Sequence, residues 1–280
     1  MPAFRQARRT RPSPSAGTMS TFALGPMQVR RSGYGAMQLA GPYAFGPPSD
    51  RASAIGVLQA AVAAGVDHID TAQYYGPGVI NGLIREALYP YPDGLAIVSK
   101  VAVRPDDGGA VLPSGAPHQL RKGIEDNLRS LRVAQLAAVN LRLPGGGRVD
   151  ARFDDQLAAM VAARDEGLIA GVGLSNVSLD QFRHAIAGTD IVCVQNLFHL
   201  AFRCGAPFFR SASAVESRSC RSARSAGPAA STTPCSPARW SSRQPPGSAS
   251  RRRRPRSSGC CSSPGPALSL TCRRTWPPKA

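Results

Sequence analysis

Between residues 20 and 202, short apolar runs alternate with longer segments in which apolar residues recur every three or four positions. The short runs, bounded by turn residues, are typical of buried strands, and the longer recurrence is typical of amphipathic helices. The pattern predicts strands over residues 66–70, 95–100, 136–141, 169–174 and 191–195. It predicts helices over residues 54–64, 79–89, 118–131, 153–167 and 179–187, the first of which begins at an Asp50 N-cap and stops at Gly65.

This alternation predicts parallel βαβ units, which both doubly wound sheets and (β/α)₈ barrels contain. A doubly wound dinucleotide fold needs Gly-x-Gly-x-x-Gly after its first strand, but Gly33-Tyr34-Gly35 lacks the third glycine and a following helix. Polar residues instead end the successive strands, where a barrel assembles its active site. These strand-end residues are Asp70, Lys100, Asn140, Ser175, Asn176, Gln195 and Asn196. We therefore predict an α/β fold, a (β/α)₈ TIM barrel that is incomplete, with about six strands and five helices.

Charge and composition divide the chain into three parts. The 280 residues carry a formal net charge of +17, yet residues 20–202 contain 15 basic and 16 acidic side chains. Residues 1–19 hold four Arg and no acid, and residues 203–280 hold 14 Arg, one Lys and a single acid, Glu216. Ser, Arg and Pro make up more than half of this last part, which has only three Val, Ile or Leu residues. So few apolar side chains cannot offset a backbone ordering cost of about 1–2 kcal/mol per residue, so we predict a disordered extension over residues 1–19 and a disordered tail over residues 203–280.

The composition also restricts the class of protein. No run of 18 apolar residues occurs, so no transmembrane helix is predicted. The Arg-rich start lacks the apolar stretch of a secretory signal, so we expect a cytoplasmic protein with free thiols. The cysteines lack zinc-site spacing, so no metal is predicted. The Arg run at residues 251–256 gives an alternative function, non-enzymatic binding of nucleic acid or acidic partners through the basic tail, although no aromatic residues interleave the run.

Three residues at neighbouring strand ends indicate acid–base chemistry. Asp70 ends one predicted strand, Tyr75 lies in the loop that follows, and Lys100 ends the next strand. A Lys ammonium lowers the pKa of a nearby Tyr phenol because it stabilises the phenolate. Such a phenol is a usable general acid near neutral pH, and a carboxylate beside the Lys would hold the ammonium in place. Each residue alone is weak evidence for a catalytic site, but the three together at successive strand ends are a much more specific signal.

Six short segments are typical of one enzyme family: GYGAMQL at residues 33–39, DHIDTAQYYGPG at 67–78, IREAL at 84–88, IVSK at 97–100, GVGLSN at 171–176 and VQN at 194–196. Through them, residues 22–202 resemble the aldo-keto reductase family. The resemblance implies that Asp70, Tyr75 and Lys100 are catalytic, and that NADPH transfers hydride to a small aldehyde or ketone while Tyr75 protonates its oxygen. It also implies that the nicotinamide carboxamide is held by Ser175, Asn176 and Gln195.

The sequence departs from the family pattern at one catalytic position and after about residue 202. Asn140 stands where most of the family has His, as in a bacterial oxidoreductase subgroup that this chain resembles. An Asn amide donates a hydrogen bond but cannot relay a proton, so we predict that Asn140 contacts the substrate oxygen; the alternative is a purely structural strand-end residue.

After about Phe202 the sequence has no hydrophobic pattern that predicts the seventh and eighth strands, and no segment that predicts the site for the cofactor phosphates. We predict that residues 203–280 result from a shifted reading frame. The chain should then be nearly inactive, and either a monomer or prone to aggregate, because an open barrel exposes strand edges.

Overall fold

The computed structural model describes residues 21–145 and 147–197, Phe208, and the backbone of residues 219–222 and 272–274. The predicted basic extension over residues 1–19 and most of the predicted tail lie outside the described residues. In the part of the chain that is described, no helix is long and apolar enough to cross a bilayer.

A two-stranded hairpin precedes the main sheet and was not predicted. Strands β1 (Thr21–Leu24) and β2 (Met27–Arg30) pair antiparallel through the tight turn at Gly25, whose φ is +58°. The hairpin side chains Leu24 and Val29 are buried against Ala96, Ala138 and other residues at the starts of the barrel strands. The hairpin therefore packs at the N-terminal ends of the strands, opposite their polar C-terminal ends.

The five parallel strands and five helices located from the sequence are confirmed, and Tyr34–Gly35 forms a sixth parallel strand, in agreement with the predicted total of about six. The strands pair side by side in the order β3 (Tyr34–Gly35), β4 (His68–Asp70), β5 (Ala96–Pro105), β7 (Ala138–Arg142), β8 (Val172–Ser175) and β9 (Ile191–Leu197). The long β5 also pairs antiparallel at its C-terminal end with β6 (Val111–Ser114). Among the described strands, β3 pairs only with β4, so the sheet is an open, incomplete barrel.

The five helices connect the parallel strands and pack their apolar faces on the sheet. They are α1 (Arg51–Ala63), α2 (Val79–Leu88), α3 (Pro117–Leu131), α4 (Ala151–Asp165) and α5 (Leu179–Gly188). As predicted, the Asp50 side chain caps α1 by accepting a hydrogen bond from the Ser53 amide at 3.0 Å, and Gly65 after α1 has a φ of +91°. Leu58, Ile80 and Leu120, from three successive helices, are fully buried in the core.

Two short strands lie in the segment predicted to be disordered throughout. Strand β10 (Ser219–Ser222) pairs parallel with β9, and β11 (Cys272–Arg274) pairs antiparallel with β10. The open edge of β9 presents backbone N–H and C=O groups to which a short strand can add without an apolar core of its own. The antiparallel direction of β11 also differs from the all-parallel strands of a (β/α)₈ barrel.

Candidate active site

The ends of β4 and β5 bring Asp70 and Lys100 together as a shielded ion pair. The Lys100 ammonium donates hydrogen bonds to both Asp70 carboxylate oxygens, each at 2.7 Å, and to the Thr71 carbonyl oxygen at 2.9 Å. An ammonium has three N–H donors, so all of them are used. The side chains of Lys100 and Asp70 are only 4% and 16% exposed. Such a pair is tolerated in the interior because its hydrogen-bonding groups are satisfied.

Tyr75 lies directly beside this ion pair. The Lys100 nitrogen is 5.1 Å from the centroid of the Tyr75 ring, and Tyr75 is buried. The neighbouring Tyr74 ring meets that of Tyr75 edge to face at 5.1 Å. Burial raises the pKa of the Tyr74 phenol, so Tyr74 keeps its proton. The structure thus brings Asp70, Tyr75 and Lys100 together, while the lowered pKa expected for Tyr75 stays a prediction.

Asn140 lies on β7 at the position in register with Lys100, and it is fully buried. Its carboxamide oxygen accepts a hydrogen bond from the Cys193 thiol at 3.4 Å. A Cβ atom at Gly173 on the adjacent strand would lie 2.2 Å from this oxygen, so the glycine makes room for the Asn140 side chain. Within the described residues, the Asn140 amide nitrogen forms no hydrogen bond. It is therefore available as a donor.

The three residues expected to hold the carboxamide lie at the ends of β8 and β9. Ser175 and Gln195 are partners in the register of these strands, and the Gln195 amide donates to Asp70 at 3.1 Å. Asn176 has a left-handed φ of +62°, and its side-chain amide donates to the Leu143 carbonyl oxygen at 3.0 Å. Asn is one of the few residue types that tolerate this conformation, and strained positions cluster at functional sites. All seven predicted site residues therefore lie at the same end of the sheet.

A family model described as the aldo/keto reductase family matches residues 32–211. The chain belongs to the aldo-keto reductase family. It is 47% identical over 187 residues to pyridoxine 4-dehydrogenase of Escherichia coli (strain K12), an alignment that covers 66% of this chain and 65% of the relative. It is 37% identical over 190 residues to an uncharacterized oxidoreductase of Schizosaccharomyces pombe, covering 67% of this chain and 60% of that protein. The chain thus spans less than two thirds of the length of either relative.

Solved aldo-keto reductases have the same fold. A Bacillus halodurans aldo-keto reductase in its holo form superposes with a TM-score of 0.63 at 20% identity, covering 72% of this chain and 65% of that one. A Klebsiella pneumoniae aldo/keto reductase in complex with NADP and acetate superposes with a TM-score of 0.52 at 23% identity, covering 66% of this chain and 62% of the other. At these identities the likeness concerns the fold alone.

The chain also contains a buried polar network that sequence reasoning missed, formed by Thr71, Asn81, Ser99 and Asn127. The Thr71 hydroxyl donates to the Asn81 amide oxygen at 2.9 Å. The Asn81 amide and the Ser99 hydroxyl both donate to the Asn127 amide oxygen, at 2.9 and 2.6 Å. All four side chains are 0% exposed. Because Thr71 follows Asp70 and Ser99 precedes Lys100, the network anchors both members of the ion pair to helices α2 and α3.

The sequence contained a signal for this network. Asn81 lies within the apolar face of α2, next to Ile80 and Ile84 in its periodicity, and Asn127 lies between Ile124 and Leu131 on the apolar face of α3. Buried amides are retained where each finds hydrogen-bond partners. An Asn at an apolar-face position on each of two neighbouring helices therefore indicated a buried polar contact between them.

Proposed function

We propose that this site reduces the carbonyl group of a small aldehyde or ketone with NADPH, with Tyr75 as the proton donor. The observation that carries the proposal is the Lys100 ammonium, which is held by both Asp70 oxygens at 2.7 Å and lies 5.1 Å from the Tyr75 ring centroid. Family membership and the relative named pyridoxine 4-dehydrogenase support an oxidoreductase that interconverts an alcohol and a carbonyl compound.

The proton moves from Tyr75 to the substrate. The Tyr75 phenol donates its proton to the carbonyl oxygen, and the Lys100 ammonium stabilises the phenolate that remains. Asp70 holds the ammonium in position through two hydrogen bonds. The available Asn140 amide donates a second hydrogen bond to the same carbonyl oxygen, which stabilises the negative charge that develops there.

The residues present fit the nicotinamide end of the cofactor. A carboxamide has both donor and acceptor groups, and Ser175, Asn176 and Gln195 supply complementary groups at adjacent strand ends. The hydrogen bonds from Asn176 to Leu143 and from Gln195 to Asp70 fix these two side chains before a ligand binds. When bound, the reduced nicotinamide would supply the hydride that the carbonyl carbon receives.

We expect the chain to bind NADPH weakly and to be close to inactive. In this family the cofactor phosphates are held by groups after the seventh and eighth strands, and residues 203–280 do not read as such a site. Each charge-assisted contact is worth about 1.5–3 kcal/mol. The loss of three or four such contacts would weaken binding about 10³-fold or more.

A single-turnover experiment tests the proposed role of Tyr75. The full chain in excess over pyridoxal, with millimolar NADPH, should oxidise the cofactor slowly but measurably. Tyr75→Phe should lower that rate by at least about 100-fold, because positioned proton transfer contributes this much. Tyr89→Phe removes the hydroxyl of an exposed tyrosine before β5, at the opposite end of the sheet, and should leave the rate unchanged. Equal rates for the wild-type chain and Tyr75→Phe would exclude Tyr75 as the proton donor.

The alternative function, binding of nucleic acid or acidic partners through the basic tail, gains no support from the comparisons. Its Arg run at residues 251–256 lies outside the described residues.

A further inference from the structure

Arg142 lies at the same end of the sheet as the proposed site. It ends β7 two residues after Asn140, so both side chains lie on the same face of the strand, and it is in register with Ser175. Its guanidinium carbon is 5.8 Å from the centroid of the Tyr74 ring, which in turn meets the Tyr75 ring at 5.1 Å. One aromatic ring therefore separates the Arg142 cation from the proposed proton donor.

The positive charge of Arg142 is not balanced within residues 21–145 and 147–197. Arg142, Lys100 and Asp70 are the charged groups that act on the Tyr74 phenol, and Lys100 and Asp70 neutralise each other. Arg142 is half-buried, but within the described residues it forms no hydrogen bond or ion pair. The other half-buried arginines, Arg30, Arg85 and Arg164, each donate a hydrogen bond to a described residue.

A second polar group beside Arg142 also lacks a partner. The hydroxyl of Tyr74, the ring that contacts the guanidinium, is buried without a hydrogen bond among the described residues. Buried polar groups are normally satisfied, so the unpartnered Tyr74 hydroxyl, on a ring that contacts the Arg142 guanidinium, indicates a place for a ligand acceptor. A partially shielded guanidinium attracts an anion more strongly than an exposed one, because water screens it less.

We propose that Arg142 binds the carboxylate of an anionic aldehyde or ketone, so that the preferred substrates are carbonyl compounds that carry a carboxylate. The inference rests on the proposed function and adds a substrate class to it. The planar guanidinium matches a carboxylate through two parallel hydrogen bonds. Within residues 21–145 and 147–197, Arg142 is the one cation beside the Tyr74 ring that has no ion-pair partner, which favours a monoanion over a phosphate dianion. Two residues along a strand span about 6.6 Å, so the carboxylate lies several bonds from the carbonyl that Asn140 contacts.

A matched pair of ketones tests the inference by binding alone. 4-Acetylbenzoate and its methyl ester share the ketone and the ring, and differ opposite the ketone in the negative charge and one methyl group. Calorimetric titration of the full chain at low salt, with and without millimolar NADPH, should show about tenfold tighter binding of the carboxylate. Arg142→Gln should remove this preference without changing the affinity for the ester, and Arg142→Lys should restore part of it. Arg183→Gln, which removes an exposed arginine on α5, controls for net charge and should keep the preference.

The outcomes separate this inference from the proposed function. Binding that depends on Arg142, but without hydride transfer to the ketone, supports the carboxylate site and counts against the reductase. Equal affinity for the two ketones, no measurable binding of the carboxylate, or a preference that survives in Arg142→Gln overturns the inference. It is also overturned if Arg142→Gln weakens NADPH binding and leaves the preference intact, because the guanidinium then serves the cofactor. Unchanged circular dichroism of the variant shows that a lost preference does not come from unfolding.

Discussion

The parallel strands from β4 to β9 and the two strands β10 and β11 share one sheet but have different kinds of sequence. Most residues of strands β5, β7 and β9 are Ala, Val, Ile or Leu, as expected for parallel strands covered on both faces. Strand β10 reads Ser-Cys-Arg-Ser and β11 reads Cys-Arg-Arg. Backbone pairing at an open sheet edge is available to almost any chain, whereas a buried core requires a specific apolar pattern. We conclude that backbone hydrogen bonds join the two regions, but that a buried apolar core stabilises only the first.

The proposed chemistry divides between the same two regions. All seven predicted site residues lie in the strands of the first region or in the loops that directly follow them. The groups that anchor the cofactor phosphates in this family would come from the second. The account therefore predicts an intact proton-transfer site with a weak cofactor anchor.

Hydrogen exchange should show the largest difference between the regions. Amides of β5 and β7 should exchange only through global or near-global opening, and amides of β10 and β11 through local opening. We expect exchange about 10³-fold or more slower in the first pair of strands, measured by mass spectrometry on peptides from the intact chain. Comparable protection in both pairs would show that residues 203–280 complete a cooperative barrel.

The buried polar network should matter most for the stability of the first region. Asn127→Leu removes the acceptor of the Ser99 hydroxyl and leaves this donor buried, whereas the Asn81 amide loses one acceptor and still donates to the Ser130 hydroxyl at 3.0 Å. We expect a loss of about 2 kcal/mol in the free energy of unfolding, measured with urea. Lys122→Gln, on the exposed face of the same helix, should change it little. A loss below about 1 kcal/mol for Asn127→Leu would mean that water or rearrangement satisfies the Ser99 hydroxyl.

The periodic part of the fold was predictable from the sequence because each signal is local. The Asp50 cap and the apolar face of α2 lie within single helices. An Asn on the apolar face of each of two helices signals a buried polar contact, but the pairing of Asn81 with Asn127, 46 positions apart, and of Arg142 with Tyr74 depends on tertiary packing. The shifted reading frame stays a prediction, which the genomic DNA across the codon for Phe202 would test.

Asn140→Leu should have a smaller effect, which is limited to the affinity for the ketone. The leucine side chain has a volume similar to that of Asn140 but lacks the amide donor. We therefore expect about tenfold weaker binding of a ketone such as methyl 4-acetylbenzoate, measured by calorimetry. Gln135→Leu removes an exposed amide from the segment before β7, at the opposite end of the sheet, and should leave ligand affinity unchanged. If Asn140→Leu binds the ketone as the wild-type chain does, Asn140 is a structural residue.

Fluorescence titration of the full chain with NADPH, beside the Escherichia coli pyridoxine 4-dehydrogenase under the same conditions, tests the central claim most directly. We predict that this chain binds NADPH about 10³-fold more weakly than the relative, because we expect residues 203–280 to supply no phosphate anchor. Binding within about tenfold of the relative, with turnover of pyridoxal that Tyr75→Phe abolishes, would contradict the account. That result would show that residues 203–280 complete the cofactor site.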